Sequence, residues 1–187
     1  NIVSGPTIVE LKEVVASQLD IDIDKLVIRL SKMKTDRKYQ EVVDELEFVK
    51  EDSIGEYDEL MILKAECLGC LGRIPEAMKL FENLKERESN LAKVFCGMGA
   101  LRASMSDWST AESLFIKSLE YDNSLEMPLC GLGMCAEFTN SLEDAWNYYL
   151  ESVKRNPENI QAITGIIRIG YKLQRLTEVE SVLKEYL

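Results

Sequence analysis

A period of 34 residues constrains this chain more than any other feature. Cys96-Gly-Met-Gly99 and Cys130-Gly-Leu-Gly133 stand one such interval apart (130 − 96 = 34). Sliding the chain by that interval superposes Ala77, Ala111 and Ala145, with Val179 next in register. Phe81, Phe115, Tyr149 and Leu183 form a second aligned set, and Met61, Phe95, Leu129 and Ile163 a third. Gly97, Gly131 and Gly165 form a fourth. Turn-like segments open at Gly72, Ser106, Asn140 and Gln174. A repeat of this length is one supersecondary unit that cannot bury its apolar face alone, so the copies must stack and share a core.

Each copy reads as two helices. In the third, Met127 to Phe138 is apolar at helical spacing, Thr139-Asn-Ser141 interrupts it, and Leu142 to Arg155 resumes. Ser141 and Asp144 are expected to cap the second of these helices, and Pro157 follows its end, where no further helical N–H is needed. Pro75 falls in the opening turn of a second helix, another permitted place. The recurring alanine marks the close approach of the two helices, and the aromatic four residues later covers the next turn of the same face. An earlier copy begins near Ile23, with Tyr39, Val42 and Leu46 in its turn and second helix, and needs one extra residue (77 − 42 = 35).

Leu129-Cys-Gly-Leu-Gly133, followed by Ala145, Tyr149 and Pro157, resembles a tetratricopeptide repeat (TPR). The copies starting near Asp58, Ala92, Glu126 and Ile160 carry the resemblance over about 130 residues. The sequence departs from the pattern at Asn123, where the third copy has Pro157, and at Ile167, where two other copies have glycine. The resemblance implies an all-α fold: a right-handed α-α superhelix, a TPR solenoid of about five helix pairs, with an additional N-terminal helix. Residues 1–22 then form a capping helix or the tail of a preceding domain, and residues 23–187 form the array. Its expected divisions are 23–57 (degenerate), 58–91, 92–125, 126–159 and 160–187.

In that family the concave groove, lined by the first helix of every pair, carries function. The resemblance places Cys96, Ala100 and Ala103 in the groove, then Cys130, Met134 and Phe138 beside Glu137, then Thr164, Arg168, Tyr171 and Lys172. The middle of this stripe is small and apolar. Its C-terminal end is basic, with Arg168, Lys172 and Arg175 in a chain of formal net charge −11. The family's clamp of Lys, Arg and Asn on a peptide carboxylate is not matched, because cysteine, alanine and methionine occupy those positions. One reading is a partner segment that is apolar with an acidic flank. The other is that the stripe is small because neighbouring helices fill it.

Composition removes several function classes. A surface this acidic repels nucleic-acid phosphates and anionic lipid, so neither nucleic acid nor membrane is expected as a partner. The chain has no histidine, which removes the usual general base, the commonest zinc ligand and every Ser-His or Cys-His pair. No catalytic residue, metal site or cofactor is assigned, and the chain reads as non-enzymatic. Five cysteines, an odd number set in apolar helical patterns, suit a reducing compartment and hence the cytoplasm.

Three motifs invite chemistry and decline it. Cys67 and Cys70 have C-x-x-C spacing but lie late in a helix, away from the helix start that activates a thiolate, and no second pair completes a zinc site. Asp20 to Asp24 opens like a calcium loop, yet Lys25 and Ser31 stand where glycine and glutamate are required. The two CGxG clusters lie inside helices and not between a strand and a helix, so they are read as helix packing and not as a phosphate cradle.

At the N-terminus, Thr7 and Glu10 form a capping box for a helix to about Leu19. This segment is similar to the last strand, loop and helix of a bacterial receiver domain, although Gly5, not lysine, precedes Pro6. That similarity implies an alternative function, the TPR output domain of a response-regulator-like signalling protein. At the other end Ile166, Ile167, Leu173, Val179, Val182 and Leu183 are apolar for a terminal repeat. The pattern predicts that this end is covered, by a further element or by a second copy in a homodimer.

Overall fold

The computed structural model describes residues 23–47 and 58–186. The expected N-terminal helix and the receiver-like segment lie outside them. All regular structure among the described residues is α-helical, in five successive pairs. The first helices are α1 (Ile23–Thr35), α3 (Asp58–Cys70), α5 (Leu91–Ser104), α7 (Met127–Phe138) and α9 (Ile160–Lys172). The second helices are α2 (Tyr39–Glu45), α4 (Ile74–Glu86), α6 (Trp108–Tyr121), α8 (Leu142–Arg155) and α10 (Leu176–Tyr186). No helix among the described residues is long and apolar enough to cross a membrane. The chain divides into two compact units, residues 1–90 and 91–187.

The turn inside each pair is the same object five times. Arg37, Gly72, Ser106, Asn140 and Gln174 each adopt positive φ, between 58° and 77°. In each case the following residue's N–H reaches back five positions, as in Arg73 N–H to Leu68 O at 2.9 Å and Ser141 N–H to Ala136 O at 2.8 Å. These are Schellman caps, which satisfy carbonyls that a helix end would otherwise leave unpaired. Arg37 precedes Gly72 by 35 residues, so the extra residue of the first copy is real. It falls between equivalent turns.

In the first unit α3 packs on α1, α2 and α4. Leu30, Val42, Leu46, Leu60, Met61, Ala65, Ala77, Phe81 and Leu84 are fully excluded from solvent. Lys34 bridges to Glu66 at 2.5 Å, and Arg29 to Glu45 at the same distance.

The second unit shows why its glycines are there. Each pair packs internally, and the first helices α5, α7 and α9 lie side by side. The Phe115 ring on α6 rests against Gly99 and Gly131, and the Tyr149 ring on α8 against Gly133 and Gly165. A Cβ at Gly99 or Gly133 would stand 2.8 or 2.7 Å from a ring carbon, inside any ordinary contact. One aromatic thus fills a slot formed by glycines from its own pair and from the next. Two helical glycines cost roughly 1 kcal/mol each relative to alanine. Removing an aromatic ring from water returns roughly 4–6 kcal/mol, so ring burial wins. The last copy replaces both partners together: Ile167 stands at the glycine position and Leu183 at the aromatic one.

Ala111 and Ala145 are fully buried, as expected of close-approach points. Two buried serines also obey the period: Ser118 Oγ donates to Ala92 O at 2.7 Å, and Ser152 Oγ to Glu126 O at 3.0 Å. The expected cap at Ser141 is corrected. Ser141 holds the N-cap position but makes no side-chain cap bond, whereas Asp107 and Asn159 do, accepting from Thr110 N and Ala162 N. Both of those side chains are one atom longer than serine.

Candidate functional site

The residues expected to line a groove all lie in the second unit, on α5, α7 and α9, and their exposure sorts them. Ala103 and Cys130 are buried, at 7% and 1% exposure, so neither offers surface to a partner. Cys96 and Met134 are half-buried. Ala100, Phe138, Thr164, Arg168, Tyr171 and Lys172 are exposed. Neighbouring helices therefore fill the stripe at Ala103 and Cys130, while the other positions keep some surface in contact with solvent.

The basic end is not a row of waiting cations. Arg168 grips Glu137 with two parallel bonds, Nε to Oε1 at 2.7 Å and a terminal guanidinium nitrogen to Oε2 at 2.6 Å. Lys172 Nζ donates to the same carboxylate at 3.0 Å, and the Tyr149 hydroxyl donates to it at 3.3 Å. Arg175 bridges to Glu143 at 2.7 Å and lies over the Trp146 ring at 5.5 Å. The Arg168 bonds, reinforced by Lys172, hold the Glu137 carboxyl down to about 2. Burial, with the Glu137 charge beside it, pushes the Tyr149 phenol well above its usual range. Two cations against one carboxylate leave the cluster a net positive charge.

Sequence reasoning placed Glu137 in the stripe but missed it as the centre of this cluster. A residue on one first helix neighbours residues 31 and 35 positions later on the next (168 − 137 = 31; 172 − 137 = 35). Opposite charges at those two offsets are the signal that would have revealed it. Trp108 was missed for the same reason. It lies thirty residues before Phe138, and its ring stacks on Phe138 at 4.6 Å between centroids.

An apolar strip runs along α7 beside the charged cluster. Met127 and Phe138 are 49% and 62% exposed, with half-buried Met134 between them. Gln161 Nε2 on α9 approaches the Met134 sulfur at 3.6 Å. The strip is backed by Trp108 and edged by Arg168 and Lys172.

The thiols are not arranged for chemistry. Burial pushes Cys67 and Cys130 up to about 12 and Cys135 up to about 11. Cys67 is buried while Cys70, at the end of the same helix, is exposed. Among the described residues, no group of three or more cysteine or acidic side chains could hold a metal ion.

Helix pairs at a fixed period, joined by identical turns and locked by rings in glycine slots, define a TPR-type helical repeat. Solved structures agree. MamA from Desulfovibrio magneticus RS-1 (residues 41 to the end) superposes with a TM-score of 0.58 at 16% identity, covering 88% of this chain and 93% of that one. MamA from AMB-1 gives 0.57 at 19% identity, covering 84% and 92%. MamA from MSR-1 gives 0.54 at 18%, covering 88% and 95%. At these identities the likeness is one of fold. No protein-family profile matches the sequence, and no curated protein matches it.

Proposed function

We propose that this chain is a non-enzymatic protein-interaction module whose second unit holds a partner peptide or helix against the first helices α5, α7 and α9. The observation that carries the reading is the strip Met127–Met134–Phe138, apolar and accessible although the surrounding chain is strongly acidic. Methionine and aromatic side chains adapt to varied apolar partners, and exposed apolar patches of this kind mark interaction sites. The net positive Glu137–Arg168–Lys172 cluster at its edge favours a partner segment that is apolar with an acidic flank. Five cysteines, an odd number set in apolar helical patterns, fit a reducing compartment such as the cytoplasm.

The test is a paired pull-down from the source lysate with the parent chain and a Met134→Glu, Phe138→Glu variant, both first shown to be folded by circular dichroism. Proteins retained by the parent and lost by the variant support the reading. Identical retained sets move function off this face.

A further inference from the structure

We propose that the outer face of α9 is a self-association surface, joining two copies of this chain through antiparallel contact of their α9 helices. Ile160, Thr164, Ile167 and Tyr171 follow helical spacing along one face of α9. One period earlier the same positions are Glu126, just before α7, and Cys130, Gly133 and Glu137 on it, all buried or half-buried in a helix that packs against α9. Two periods earlier they are Ala92, Cys96, Gly99 and Ala103 on α5, similarly covered beside α7. On α9 the stripe is open, with Ile160 77%, Ile167 45% and Tyr171 74% exposed, and Leu176 beside them at 59%. A helix face covered twice inside the chain is thus presented a third time, and among the described residues nothing covers it.

The composition of the stripe suits a dry contact. The two carboxylates of the α7 stripe, Glu126 and Glu137, become Ile160 and Tyr171 here. The Thr164 hydroxyl already donates to Ile160 O at 2.7 Å, so covering it strands no donor. The stripe is also self-complementary. A two-fold axis midway between Thr164 and Ile167 sets Ile160 against Tyr171 of the other copy and opposes the two helix dipoles. The same arrangement brings Glu158, just before α9, toward Lys172 at its end in the other copy. Helix α9 contains no Asp or Glu, so two chains of net charge −11 repel each other least along this face. The four open apolar side chains amount to roughly 550 Å² per copy, below the ~800 Å² of a standard interface. A reversible dimer, not a permanent one, follows.

Light scattering on the full chain from about micromolar to about millimolar concentration tests this. The 21.3 kDa monomer should pass into a dimer as concentration rises, more completely at higher salt. Ile167→Glu with Tyr171→Glu should stay monomeric throughout while retaining its helical circular dichroism. Should that pair unfold, Thr164→Arg replaces it as the probe with the same expectation. Ile116→Glu, equally exposed on α6 but off the stripe, should dimerise like the parent, as should Met134→Glu with Phe138→Glu. That last control separates this surface from the proposed partner strip. A parent that remains monomeric at every concentration, or a stripe variant that still dimerises, overturns the proposal.

Discussion

Tyr149 lies so close to Gly165 that a Cβ on the glycine would stand 2.7 Å from three carbons of the ring. The ring is fully buried and held from its other side by Gly133, so it cannot swing away. Gly165→Ala therefore sets two effects against each other. Helix propensity gains roughly 1 kcal/mol, while overpacking a filled core costs roughly 1–3 kcal/mol. A net loss of about 1 kcal/mol is expected in urea unfolding, and Gly165→Val should cost more. Gly133→Ala combined with Tyr149→Leu should lose less than the sum of the two single changes, because the smaller leucine makes room for the added methyl group. A stabilised Gly165→Ala would show that the slot has slack.

The turns offer a test with the opposite sign. Ser106 sits at φ 62° in the C-terminal cap of α5, a region where an L side chain is strained. Ser106→Gly should raise stability by about 0.5–1 kcal/mol, after allowing for the extra freedom glycine gives the unfolded chain. Gly72→Ala, at φ 77° with open space around it, should lower stability by a similar amount. Thermal melts of the two variants should move apart around the parent. Equal shifts of the same sign would contradict a common cap geometry.

These two tests rest on features the sequence displayed to different degrees. The period, the helix pairs and the separate recurrence of glycines and aromatics were readable, because each depends on residue identities recurring at one offset. The seating of each ring against the glycines came only from the structure. The turn openers at Gly72, Ser106, Asn140 and Gln174 were readable as breaks, and every one proved to be the left-handed residue. The site was less legible. Which stripe residues the next helix covers depends on the tilt between neighbouring pairs, and so Cys130 and Ala103 proved closed while Met134 stayed accessible. The apparent basic end misled for a related reason: Arg168 and Lys172 meet Glu137 across a helix–helix joint. A linear count of charge cannot show such a pairing.

Thiol labelling checks the repeat reading of the cysteines against a redox one. Cys70 is exposed, whereas Cys67, Cys130 and Cys135 are buried and their protons are held more tightly than usual. Since the thiolate is the reactive form, a native sample should label at Cys70 on mixing, with Cys67, Cys130 and Cys135 labelling only after denaturant is added. Mass spectrometry of the labelled peptides reads the order. Rapid native labelling of Cys67 together with Cys70 would revive the C-x-x-C pair as a functional element.

Glu137 gives the chain a defined acid sensitivity. Its carboxyl titrates at about 2 in the folded protein, well below the usual carboxylate range, chiefly through the bidentate Arg168 bonds. The folded state therefore takes up this proton less readily than the unfolded chain does. The stability contributed by the cluster is complete above the ordinary carboxyl value of 4.5, and it is lost as pH falls from there toward about 2. Glu137→Gln removes the charge at every pH, leaving Arg168 and Lys172 facing each other without a counter-ion. The variant should melt below the parent at pH 7, and the gap should narrow as pH drops through that window. A gap that stays constant with pH would mean that Glu137 acts by packing alone. The same substitution raises the local positive charge, so at neutral pH a partner with an acidic flank should bind the variant more tightly, while a purely apolar partner should bind both forms alike.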